Sequence, residues 1–370
     1  MTLARNWRWL FVPALVSALV APSSAETPKD GKPVPAYPPV AEVREAFRKL
    51  LERPRVAPEP KSETTVRDGR AEEVGSFRAE ETERVPFLIV KRTDDKDRLP
   101  VVVCLHGTGG NKEQQLRLLQ RLADRGYLAV AIDARYHGHR VPGGAKGADQ
   151  YNEAAIRAWR AKPGERQEHP FWFDTAFDLW RLVDYLSTRP DVDPERIGMI
   201  GFSMGGIQTW LAASVDERVK VAVPAIAIQC LKWSLENGKW KSRAYTIRKA
   251  HEAAAADLGE PEVNERVCRE LWARLIPGTL DRFDCPSMVR LFAPRPVLFL
   301  NGELDPNCPI EGAKIAFREA EAAYAAAGAA DKLKIIVAPG VAHRVTEEQM
   351  TAAHEWFDRW LKPARPESQK

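Results

Sequence analysis

A candidate nucleophile, an orienting acid and a general base occur in the order Ser203, Asp305, His343. Ser203 lies within Gly201-Phe202-Ser203-Met204-Gly205-Gly206, a G-x-S-x-G pattern. A serine hydroxyl is a poor nucleophile until an imidazole takes its proton, and that imidazole needs a carboxylate to fix its tautomer and stabilise its charged form. His343 closes Gly340-Val341-Ala342-His343, and Asp305 lies in Leu300-Asn301-Gly302-Glu303-Leu304-Asp305-Pro306. The glycines flanking Ser203 leave room for a tight turn that exposes the hydroxyl, where side chains would collide. Without that context the serine would be no more than a helix N-cap. Asp281 and Asp284 are the alternative acids.

Acyl transfer through such a serine also needs two N–H donors for the developing oxyanion. A helix beginning at Met204 offers the Met204 amide. The run Leu105-His106-Gly107-Thr108-Gly109-Gly110 offers a second, from Thr108 or alternatively Gly109. No Lys-Ser or Lys-Thr pair follows this run, which argues against a phosphate-binding loop. His106 precedes the nucleophile in the chain and is read as bracing the loop. His137 and His139, in Tyr136-His137-Gly138-His139-Arg140, could suggest a metal together with His169. Two histidines one residue apart with no obvious third ligand carry that idea weakly, and loop-bracing or pocket-lining roles are preferred. No metal and no cofactor is implied.

These residues need a scaffold that brings them together, and the pattern supplies one. Short β-branched and apolar runs at 87–91, 101–105, 127–132, 197–200, 219–223, 296–300 and 333–337 read as strands. Helical spacing occupies 115–123, 175–186, a segment from Met204, 310–327 and 346–361. Strands alternating with helices imply an α/β architecture, a mostly parallel doubly wound sheet with helices on both faces. Ligand sites in such sheets lie beyond the carboxyl ends of the strands, where the residues singled out above fall. Between residues 225 and 295 the alternation stops, and helix-prone stretches at 243–258 and 263–275 indicate a helical cap insertion. Its Trp233, Trp240 and Trp272 are read as anchors of the cap, with contact to the site as the alternative; in the group Trp159, Phe171, Trp172, Phe173 and Trp180, the residues from Phe173 onward are read as core.

Arg5 and Arg8, an apolar run over residues 9–21 and Ser23-Ser24-Ala25 form the three parts of a secretory signal, so residues 1–25 read as a leader and the mature chain as beginning near Glu26, secreted or periplasmic. The apolar run is too short to span a bilayer, so no stable membrane insertion is expected after cleavage. Residues 26–71 read as a Pro-rich linker with a short helix at 40–53, residues 72–364 as the catalytic domain, and 365–370 as a tail. An oxidising compartment permits one or two disulfides among Cys230, Cys268, Cys285 and Cys308, with Cys104 buried in a strand. Lys and Arg number 55 against 51 Asp and Glu, interspersed, which excludes a nucleic-acid-binding stripe.

Residues 184–198 leading into the Ser203 motif resemble the helix, turn and elbow of the α/β-hydrolase superfamily, and within it the dienelactone-hydrolase-like and prolyl-oligopeptidase-like esterases. The likeness runs from about residue 87 to 361, the insertion excepted. It implies a serine hydrolase acting on small-molecule carboxylic esters, with amide cleavage and non-catalytic binding as alternatives; the tryptophans of the insertion among Lys232, Lys239, Lys241, Arg243, Arg248 and Lys249 suit a short-acyl ester with a sugar, aromatic or carboxylate-bearing part. Two departures stand out. Dienelactone hydrolases use cysteine where this chain has Ser203, and the residues before 72 are too few for the β-propeller of the peptidases.

Overall fold

The computed structural model describes residues 37–95, 97–144, 147–165 and 167–362. The expected leader at 1–25, residues 26–36 of the linker and the tail at 365–370 lie outside them.

Helix α1 (Val40–Leu50) opens the described chain, followed by β1 (Lys61–Arg67), β2 (Arg70–Arg78), β3 (Arg84–Arg92) and β4 (Leu99–Leu105). Then come α2 (Leu116–Asp124), β5 (Leu128–Ile132), α3 (Asp149–Arg160), α4 (Phe173–Thr188), β6 (Val192–Phe202), α5 (Met204–Val215) and β7 (Val219–Ala225). Five helices follow without an intervening strand: α6 (Leu231–Glu236), α7 (Lys241–Tyr245), α8 (Arg248–Asp257), α9 (Glu265–Leu275) and α10 (Cys285–Val289). The chain returns to the sheet with β8 (Val297–Gly302), α11 (Ile310–Ala326), β9 (Leu333–Ala338) and α12 (Glu347–Leu361).

The nine strands form one sheet in the order β1-β2-β3-β5-β4-β6-β7-β8-β9. From β5 to β9 every pairing is parallel, and β1, β2 and β3 add an antiparallel edge. The central strands read as continuous apolar runs because both faces are covered: every residue of β4 and β5 is buried. Alternation along β4 splits the core in two. Val101, Val103 and Leu105 join α4 and α5 on one face, while Val102 and Cys104 join α2 and α12 on the other. Helix α12 approaches so closely that a Cβ on Gly198 would lie 2.8 Å from both Phe357 and Leu361.

One segment differs from its reading. The stretch taken as linker up to residue 71 contains all of β1 and the start of β2. Every residue of β1 is exposed, so it shows no apolar period, and hydrogen bonding to β2 from Lys61–Ser76 to Arg67–Arg70 defines it. The five cysteines are all buried and unpaired, so none of the possible disulfides is formed. No helix among the described residues is long and apolar enough to cross a membrane.

Candidate active site

Ser203 sits at φ 55° and ψ −113°, between β6 and α5, in a left-handed conformation that a non-glycine residue adopts only under strain. The glycines around it are dictated by contact. A Cβ on Gly201 would lie 2.1 Å from the Gly205 carbonyl oxygen, and one on Gly205 would lie 2.5 Å from that of Leu105. The strand end, the helix start and the β4 loop therefore touch backbone to backbone. That closeness brings the Gly107 loop over the nucleophile: a Cβ on Gly107 would fall 3.7 Å from the Cβ of Ser203. Met204 is the first residue of α5, where an amide has no partner within the helix. Thr108 follows Gly107 in the apposed loop. Met204 directly follows the serine, and the loop that carries Thr108 comes close to it through Gly107.

The Ser203 hydroxyl lies 2.7 Å from His343 Nε2, and His343 Nδ1 lies 2.7 Å from Asp305 Oδ2. The Asp305 side chain is fully buried. Its other oxygen, Oδ1, accepts from the amides of Asn307 (2.8 Å) and Cys308 (3.2 Å), which hold the carboxylate still. Gly302 lets the two loops meet, since a Cβ there would lie 2.2 Å from the Ala342 carbonyl oxygen, next to His343. The Leu304 amide donating to the Val341 carbonyl ties them again. Ser203 and His343 remain partly exposed, so substrate can reach the reacting atoms.

The other histidines are spread apart. His106 Nε2 accepts from the Ala134 amide at 3.1 Å, so its Nδ1 carries the proton and donates to the Gly107 carbonyl at 2.8 Å. It joins the ends of β4 and β5 beneath the loop, the bracing role expected of it, and burial lowers its pKa. His137 packs between His106 and Tyr151, at ring separations of 5.2 and 4.9 Å, and burial pushes its pKa down to about 4. His169 turns to the Leu275 carbonyl. These rings do not converge on a metal. His139 instead joins Glu113 and Asp133 in a cluster with ligand spacing. The Lys112 ammonium lies among them, 2.6 Å from Glu113, 3.1 Å from Asp133 and 2.7 Å from His139, and supplies the positive charge that a bound cation would otherwise bring.

The alternative acids are elsewhere. Asp281 is exposed. Asp284 caps α10 and accepts from the Leu231, Lys232 and Cys285 amides, which fastens the cap together. Of the cap tryptophans, Trp272 is fully buried and donates to His251 Nε2 at 2.9 Å, as an anchor does. Gln229 and Tyr151 were not singled out from sequence, and Arg243 was noted only among the basic residues of the insertion. All three are buried, and Arg243 Nη2 donates to the Asn307 carbonyl at 3.0 Å. Arg243 is one of many basic residues in the insertion, and nothing in its spacing marks it as the inward-facing one.

Residues 88–247 match the model of the dienelactone hydrolase family. The Bacillus subtilis protein named "Putative hydrolase YtaP" is 25% identical over 292 residues, covering 75% of this chain and 84% of that one. Among solved structures, acetyl xylan esterase from Paenibacillus sp. R4 superposes with a TM-score of 0.61 at 19% identity, covering 86% of this chain and 93% of its own. Acetyl xylan esterase 1 from Thermoanaerobacterium sp. JW/SL YS485 gives 0.61 at 17% identity, covering 87% and 98%. At such identities the structural likeness is one of fold.

Proposed function

From an α/β-hydrolase fold and a match to the dienelactone hydrolase family over much of its parallel sheet, we propose that this chain is an exported serine hydrolase that cleaves carboxylic esters. One observation carries the reading: the unbroken relay of 2.7 Å contacts from the strained Ser203 through His343 to the buried Asp305.

In this mechanism the ester carbonyl oxygen points to the amides of Met204 and Thr108. Ser203 Oγ attacks the carbonyl carbon while His343 Nε2 takes the hydroxyl proton. Asp305 holds Nδ1–H and stabilises the imidazolium that forms. Collapse of the tetrahedral intermediate breaks the bond to the alkoxy oxygen, which leaves with the proton from His343. Water, deprotonated by the same imidazole, then attacks the acyl-enzyme and regenerates Ser203. Backbone amides serving in this role would need little reorganisation as charge develops.

Short-acyl esters with a sugar or aromatic alcohol are the expected substrates. The buried Trp272 and the charged surface of the cap lack the long apolar face of a lipid-binding lid, and the structural neighbours named as acetyl xylan esterases support the same choice. The leader-like residues 1–25 support export. The test is turnover of p-nitrophenyl acetate with labelling by a fluorophosphonate. Both should vanish in Ser203→Ala, with a loss of about 10⁴-fold or more in kcat and an unchanged circular dichroism spectrum. Near-normal turnover by that variant would overturn the mechanism.

A further inference from the structure

We infer that Arg243, Gln229 and Tyr151 form a binding site for a carboxylate on the substrate, beside the loop that carries Asp305. The inference rests on the hydrolase reading above and narrows it to esters bearing a second, ionised carboxyl group.

Arg243, on α7 of the cap, is 3% exposed. Its Nη2 donates to Gln229 Oε1 at 3.0 Å, to the Asn307 carbonyl at 3.0 Å and to Cys308 Sγ at 3.6 Å. Every one of those acceptors is neutral. Among the described residues no carboxylate forms an ion pair with it, although a buried guanidinium is costly without one. Asp305, which shares its loop with Asn307 and Cys308, is already committed to His343 and to two amides. The Arg243 Nε–H has no acceptor.

The neighbours share this imbalance. Gln229, 1% exposed, spends its Oε1 on Arg243, and its Nε2 is left unpartnered. Tyr151, also 1% exposed, has no partner for its hydroxyl, and its ring packs 5.8 Å from Phe171, which stacks on the Trp172 that faces Arg243. The unmet groups are thus a guanidinium N–H, an amide NH₂ and a phenol O–H, all able to donate. A neutral alcohol or ether would answer them in part. A carboxylate answers both the donors and the charge, since its acceptor-only oxygens can take the Nε–H together with the amide or phenol donor.

The face of Arg243 is occupied and its Nη2 is engaged, which leaves the Nε–H for recognition. Its Cζ lies 5.7 Å from the ring centroid of Trp172, and Trp172 stacks on Phe171 at 4.1 Å. Trp172 holds φ 80°, an outlier for a bulky side chain. Backbone strain of this kind persists where the surroundings hold it, and it concentrates at ligand sites. The Asn307 loop gives the link to catalysis: its carbonyl accepts from Arg243 while its amide donates to Asp305.

Two matched ester pairs test the inference and separate the two sides of the ester. On the acyl side, mono-p-nitrophenyl glutarate is compared with p-nitrophenyl pentanoate. On the alcohol side, 4-acetoxybenzoate is compared with its methyl ester. At least one ionised member should exceed its neutral partner by about tenfold or more in kcat/KM, chiefly through KM. That ratio should collapse in Arg243→Gln and be partly kept in Arg243→Lys. No preference in either pair, or a preference that survives Arg243→Gln, would overturn the site. Calorimetric binding of glutarate and benzoate to Ser203→Ala, with and without Arg243→Gln, separates this outcome from failure of the hydrolase reading. Arg243-dependent binding without ester turnover would keep the site and discard the hydrolase, and turnover of neutral esters without carboxylate binding would do the reverse. Should Arg243→Gln fail to fold, Tyr151→Phe removes one donor, and a ratio unmoved by it together with absent carboxylate binding to Ser203→Ala would equally sink the inference.

Discussion

Asp305 and Asp284 are both buried carboxylates, and their partners divide their roles. Asp305 gives one oxygen to His343 and the other to two amides of its own loop. Asp284 is held by amides at the start of α6 and α10 and by the Cys230 thiol; complete burial nonetheless lifts its pKa to about 6. Asp305→Asn is expected to lower kcat by about 10³- to 10⁴-fold with little change in Tm, because the amide cannot stabilise the imidazolium. Asp284→Asn is expected to keep kcat within about threefold while lowering Tm by several degrees, since an NH₂ would face backbone donors. A kinetic run on p-nitrophenyl acetate and a thermal melt of each variant check the pair, and a reversed ranking would move the acid into the cap. The choice of Asp305 was legible in sequence because the acid and histidine loops follow consecutive strands. Arg243 was not, since its significance lies in lacking an acid partner, a property of three-dimensional surroundings.

At the scale of elements, the elbow is where β4, β6 and α5 converge, and glycine is what allows it. Gly205→Ala would set a methyl group 2.5 Å from the Leu105 carbonyl oxygen and 2.7 Å from that of His106. Neither acceptor can retreat without moving β4, which is buried along its whole length. The variant should therefore lose about 3 kcal/mol or more of stability, and any folded fraction should lose turnover as the Gly107 loop shifts off Ser203. Urea unfolding monitored by tryptophan fluorescence gives the first quantity, and wild-type stability in that variant would contradict the packing described. The central strands were legible because burial on two faces makes them uniformly apolar. The helix α3 was missed: Asp149–Arg160 mixes charged residues with Tyr151, Ala154, Ala155 and Ala158, and its buried face is made by α8 and α9 of the cap, far along the chain. Strand β1 escaped notice for the opposite reason, having no buried face at all. The cluster of Lys112, Glu113, Asp133 and His139 likewise exists only once β4 and β5 lie side by side; with the ammonium among its ligands, excess chelator should leave ester turnover unchanged.

For the molecule as a whole, the buried histidines predict how stability responds to acid. Burial holds His137 and His251 at about 4 and lowers His106 as well, whereas an unfolded histidine titrates near 6.5. Between pH 6.5 and 4 the unfolded chain therefore binds protons that the folded chain refuses. Stability rises with pH across that window, is fully present above it, and is lost as pH falls through it. His137 and His251 account for about 3 kcal/mol each at most on this reasoning. Asp284 acts in the opposite sense. With its pKa raised to about 6 by burial, the folded protein keeps a proton that the unfolded chain has released, so this one group favours folding at the acid end of the same window. Asp178 is fully buried, which would raise its pKa, but Arg135 and Arg140 outweigh that and hold it at about 2, so its contribution falls away only below about pH 4. Histidines outnumber the opposing aspartate, so Tm should decline steadily from pH 7 to pH 4.5. Asp284→Asn removes the opposing group and should steepen the decline, whereas His137→Phe should flatten it. Melts of the three proteins at pH 7.0, 5.5 and 4.5, with flat or inverted slopes as the contrary result, decide whether these buried rings stay neutral in the folded chain.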